Sequence, residues 1–209
     1  MIFKPSDVNR LMDKNKEVDK EKRPWHKELW HFLWNSNSIL SWIVDIILMF
    51  LIVKFIIFPL MSLALATSLP FVIIESGSME HQGDFDQWFS LHGSWYLEHN
   101  ITEPEIVAWK WSDGLDKGDI IIVKGLKNYN YSMGDVIIFK VENQNTPIIH
   151  RIIEIKEENN TIMFSTKGDH NDGQLPYEHD IQKEQIIGKA IMRIPKLGWV
   201  KLFFVDLFR

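Results

Sequence analysis

The sequence contains no cysteine. Disulfides and thiolate metal sites are therefore excluded, although a cysteine-free chain suits either side of a membrane and leaves the compartment open. A concentrated basic face is also missing: 23 Lys and Arg stand against 28 Asp and Glu, a formal charge of -5. Phosphate binding needs clustered positive charge, so nucleic acid is set aside as a partner. Internal repeats and low-complexity tracts are absent as well.

What the chain does have is hydrophobicity packed unevenly along its length. From Ile39 to Leu69 it reads "ILSWIVDIILMFLIVKFIIFPLMSLALATSL", and a bilayer core needs about 20 apolar residues. A cleaved leader would have a shorter apolar core and a short basic stretch before it, whereas here a long polar segment precedes it. Residues 39–69 are therefore expected to span a membrane. The preceding 1–38 carry Lys4, Arg10, Lys14, Lys16, Lys20, Lys22, Arg23 and Lys27, and basic flanks stay in the cytoplasm. That puts the N-terminal tail inside and the remainder outside a cell membrane crossed once. Trp25, Trp30, Trp34 and Trp42 suit the interfacial zone of the lipid bilayer. Lys54 is awkward near mid-span. Asp45, nine residues away, falls on the opposite helix face, so Lys54 either meets another chain or sits in a helix broken near Pro59 and tilted.

Beyond the span the texture changes twice. An aromatic insertion, about 82–116, shows no sustained period and is expected to be irregular with short helices. Then "DIIIVKG", "GDVIIFKV", "PIIHRIIEI", "TIMFSTKG" and "QIIGKAIMRI" read as Ile- and Val-rich strands separated by turns. The fold class expected for 70–195 is mainly β, an antiparallel sheet or partly closed barrel. The tail 196–209 is too short to span and is expected at the membrane interface.

Three places carry chemistry. Ser76-Gly77-Ser78-Met79 follows the span, and a serine there attacks only if a base takes its proton and donors face the developing oxyanion. His150 sits in "PIIHRIIEI", where alternation puts Ile148 and Ile152 on its face and Arg151 on the other. Imidazole is the usual base near neutral pH. In "TKGDHND" the turn residues include Asp169 and Asp172, either of which could accept the imidazole N–H. Each place alone reads equally as a polar loop, a core histidine and a tight turn.

In that order, "SGSM" after a span, "GDVIIF", "IIHRI" and "TKGDHN" resemble the membrane-bound type I signal peptidases. The similarity is to the archaeal and endoplasmic-reticulum branch, which has histidine where most bacterial members have lysine. It implies Ser78 as nucleophile, the Ser78 N–H and Ser76 hydroxyl as oxyanion donors, His150 as base and then acid, and Met79 lining the site. It further implies cleavage after small residues, no metal or organic cofactor, and signal-peptide-bearing precursors as partners, with the translocation machinery a candidate neighbour. One departure is that the family's aspartate, six positions after the one in "KGD", is Leu175 here. Asp172 is then expected to orient His150 and Asp169 to brace the turn. A membrane protease with a specialised substrate and a tethered, non-catalytic β binding domain are the alternatives.

Overall fold

The computed structural model describes Pro24 and residues 26–27, 30–31, 34, 38–125, 130–142, 144–158 and 160–207. Most of the expected tail 1–38, including Trp25, and the last two residues of the C-terminal tail lie outside the described residues. The chain divides into two compact units, Met1–Ile57 and Phe58–Arg209.

The first unit is dominated by α1 (Ile39–Ile52), whose N-cap Ser38 accepts the Leu40 N–H at 3.2 Å. Its large side chains, from Ile39 and Trp42 to Ile52, are exposed. A π-helical turn follows at Val53–Ile57. Pro59 lies just beyond, and its missing N–H withholds the bond that the Phe55 carbonyl would accept in a regular α-helix. The π-helical turn thus lies just before Pro59, where the sequence suggests a break. The ammonium of Lys54 lies 5.3 Å from the Phe55 ring centre and 6.0 Å from that of Phe50. Such contacts contribute about 0.5–2 kcal/mol each, less than the several kcal/mol that a charge costs at mid-bilayer.

With α2 (Phe58–Ala64), which opens the second unit, the helical stretch Ile39–Ala64 runs for 26 residues at a mean hydropathy of 2.7. That is about 39 Å of helix, long and apolar enough to cross a membrane. It stops five residues before the expected end. Ala66 turns at φ 51°, and the Thr67 hydroxyl donates to the Ile187 carbonyl at 3.1 Å.

The rest of the second unit is built on a seven-stranded antiparallel sheet in the order β1-β2-β7-β3-β4-β5-β6. The strands are β1 (Phe71–Ile73), β2 (Ile120–Lys124), β3 (Val136–Phe139), β4 (Ile148–Glu158), β5 (Thr161–Lys167), β6 (Ile181–Gln182) and β7 (Ile186–Ile194). Five coincide with the Ile- and Val-rich runs; β1 and β6 are additional. Alternation sorts β3 onto two cores. Val136 and Ile138 join Met79, Ile121 and Val123, while Ile137 and Phe139 join Ile152, Phe164 and Ile181. Opposite Ile137 and Val136 stand His150 and Arg151, so these neighbours face opposite sides of the sheet.

The aromatic insertion is more regular than expected. It forms α3 (Phe85–Glu98), capped by Asp84 accepting the Gln87 N–H at 2.9 Å, and α4 (Glu103–Ala108), which opens with a Thr102–Glu105 capping box. Trp88, Tyr96, Ile101 and Ile106 pack there against Ile153. At the C-terminus α5 (Trp199–Leu207) is tied down by Gly198 donating to the Gly118 carbonyl at 2.8 Å.

Candidate active site

Ser78 lies in the turn that follows β1, and His150 near the start of β4. Ser78 Oγ is 3.0 Å from His150 Nε2 and 3.2 Å from Ser76 Oγ. The other imidazole nitrogen, Nδ1, is 2.5 Å from Oε1 of Glu178. A carboxylate only accepts, so Nδ1 carries the hydrogen and the Nε2 lone pair is left to take the serine proton. Glu178 is fully buried and His150 is 3% exposed, which holds the imidazole–carboxylate pair away from bulk water.

Glu178 closes the 3-10 turn Pro176–Glu178, with Pro176 fixing its first position. Its second oxygen accepts the Leu175 N–H at 2.5 Å, so backbone and imidazole together fix the carboxylate.

The expected orienting acid is thus corrected. Asp172 is exposed and makes no bond to His150, whose two nitrogens are taken by Ser78 and Glu178. Asp169 does not touch His150 either. It faces Arg151, which donates from Nη2 to Oδ2 at 2.6 Å and from Nε to Oδ1 at 2.9 Å. Burial opposes ionisation of Asp169, but the Arg151 charge and the hydrogen bonds from His81 and Arg151 outweigh it and hold the carboxyl well below its usual range. Arg151 also donates to the carbonyls of Lys110, Trp111 and Gly134. Asp169 is therefore the centre of a brace joining β4 to the insertion.

The turn between Lys167 and His170 presses on the site. A Cβ on Gly168 would come within 2.8 Å of both His150 Nε2 and the Ser78 carbonyl oxygen, so only glycine fits. The His170 N–H donates to that same carbonyl at 2.9 Å. Lys167 is buried beside the rings of Trp95 and Tyr96. Burial lowers its pKa to about 8, against the pull of Asp169, Glu178 and Asp172.

Beside Ser78 opens an apolar cavity of about 750 Å³, lined among others by Phe71, Ile73, Met79, Ile148, Leu175 and Tyr177. Met79 is itself almost fully buried in the core. An ion pair between Glu75 and Lys201, 2.9 Å apart, belongs to its lining. Among the described residues no group of three or more His, Asp or Glu side chains is placed to hold a metal ion.

A serine joined to an imidazole that is joined to a buried carboxylate has the nucleophile, base and acid order of the serine hydrolases. No family model matches the chain. It is 31% identical over 107 residues to the signal peptidase complex catalytic subunit SEC11C of Homo sapiens, covering 48% of this chain and 56% of that one. With the sec11 subunit of Dictyostelium discoideum the identity is 28%, covering 43% and 53% of the two chains. For the SEC11 subunit of Zygosaccharomyces rouxii it is 29%, covering 51% and 69%. The chain thus spans little more than half the length of the first relatives it matches, and its homologues are catalytic subunits of signal peptidase, as the motif order implied.

Proposed function

We propose that the protein is a membrane-anchored serine endopeptidase that removes N-terminal signal peptides from exported precursors. The observation that carries this is the Ser78–His150–Glu178 series beside an apolar groove, in a chain homologous to signal peptidase catalytic subunits. The series speaks against a purely binding β domain, which has no use for a base held in one tautomer.

Among the described residues β1 pairs only with β2, so its other edge offers backbone groups to an extended substrate chain. Ser78 Oγ attacks the scissile carbonyl as His150 Nε2 takes its proton, and Glu178 stabilises the imidazolium that forms. The Ser78 N–H and the Ser76 hydroxyl donate to the oxyanion. Collapse breaks the C–N bond, and His150 gives its proton to the leaving amine. Water then repeats the cycle on the acyl-enzyme. Lys and Arg residues before Ile39 favour a cytoplasmic N-terminus and an extracytoplasmic catalytic unit. Exposed Trp199, Val200 and Phe203 suit α5 to the lipid interface.

The test uses the full chain in lipid vesicles with precursors that differ only at the first and third positions before the cut. Alanine at both should be processed and a bulky residue at either should not, with mass spectrometry fixing the new N-terminus. Equal cleavage of all precursors would remove the signal-peptide reading.

A further inference from the structure

The segment that carries Ser78 runs on to His81, whose surroundings serve no purpose in the proton transfers above. Its side chain is 2% exposed, and Nε2 lies 3.2 Å from Oδ2 of Asp169. The imidazole lies flat on Trp88 of α3, with ring centres 3.8 Å apart and planes 4° apart. Its edge abuts Gly114, where a Cβ would come within 2.7 Å of His81 Cδ2. Trp88 also donates from Nε1 to the Asp169 carbonyl at 3.1 Å.

Among the described residues His81 Nδ1 is buried without a partner. An apolar ring of similar shape would stack on Trp88 without burying an unpaired nitrogen. What such a ring could not do is donate to Asp169. That bond closes a loop of contacts: His81 holds Asp169, the adjoining His170 N–H holds the Ser78 carbonyl, and Gly168 lies against His150 Nε2. The turn bearing Asp169 is thus fastened to both ends of the segment from Ser78 to His81.

The geometry points to His81 as a positioning residue for the nucleophile, with the aromatic insertion supplying, through Trp88, the surface that fixes its ring. Taking Ser78 as the nucleophile, the Nε2 bond to Asp169 sets where Ser78 Oγ stands relative to His150. It makes no contact with substrate. Losing it therefore slows turnover and leaves substrate affinity alone.

Two substitutions in the full-length protein separate the donor from the ring. His81→Phe keeps the stack and deletes the donor, and should lower kcat by about 10- to 100-fold, the scale of a small misplacement, with KM changed by less than about twofold. His81→Gln restores an amide N–H at similar reach, and should recover kcat to within about threefold of wild type. A wild-type kcat in His81→Phe overturns the proposal, as does an equal loss in both variants or a loss confined to KM. Ser78→Ala in the same assay keeps the two questions apart: if it cleaves like wild type, the nucleophile assignment fails, whatever His81 does.

Discussion

Replacing Glu178 with glutamine asks most of the site while changing its shape least. Glu178 accepts two hydrogen bonds, from His150 Nδ1 and from the Leu175 N–H, and is fully buried. An amide has one acceptor and one donor end. With its oxygen toward Nδ1, the NH₂ faces the Leu175 N–H, donor against donor, and a buried unsatisfied donor costs about 1–3 kcal/mol. With its oxygen toward Leu175, the NH₂ faces Nδ1, the imidazole hydrogen moves to Nε2, and the base can no longer take the Ser78 proton. In either orientation the charge that stabilises the imidazolium is gone. A drop in kcat of up to about 10⁴ follows, the size seen when a triad imidazole is forced into the wrong tautomer, equivalent to about 5.5 kcal/mol of transition-state stabilisation. The assay is kcat and KM on a precursor peptide, with the melting temperature checked alongside. Turnover within threefold of wild type would refute the role given to Glu178, and an equal fall in Asp172→Asn would return the orienting role to Asp172.

Two further substitutions test the surroundings of the site. Asp169→Asn leaves Arg151 buried without its counter-charge, and should cost about 3–5 kcal/mol of stability along with activity. Because the folded pKa of Asp169 lies below its ordinary 3.8, the stability it contributes is fully present above that value and is lost as pH falls through the folded pKa. Denaturant titrations across acid pH should show a shallower decline in the Asn variant, and parallel curves would contradict the brace. Lys167 gives a slope of the same sign at higher pH: with a folded pKa of about 8 against an ordinary 10.5, the unfolded chain binds more protons between those values, so stability again rises with pH there. The gain should approach about 3 kcal/mol and vanish in Lys167→Met; its persistence in that variant would rule out Lys167 as the source.

The sheet was readable in the sequence because its strands are short, Ile-rich runs bounded by Gly, Asn, Asp and Pro. β1 was hidden by continuity, since Phe71–Ile73 extends the apolar run of the span. In the insertion, Phe85, Trp88, Phe89, Trp95 and Tyr96 do follow helical spacing, but His92 and Gly93 interrupt the hydrophobic signal midway. Motif order singled out Ser78 and His150, and the structure brings them to hydrogen-bonding distance. Glu178 stands outside the motif residues, in the 3-10 turn Pro176–Glu178 beyond the turn after β5. The cue was local, an apolar residue followed by Pro176 and, two residues later, a glutamate, which reads as a capped turn. Only the packing of that turn against β4 turns it into a partner for His150.

The most direct measurement compares wild type and Ser78→Ala, purified as full-length chains, on one precursor with an A-x-A sequence before the cut. A single product beginning after the second alanine is expected from wild type. Ser78→Ala, folded and melting at the wild-type temperature, is expected to give no product above background. Cleavage by Ser78→Ala at the wild-type rate would contradict the account.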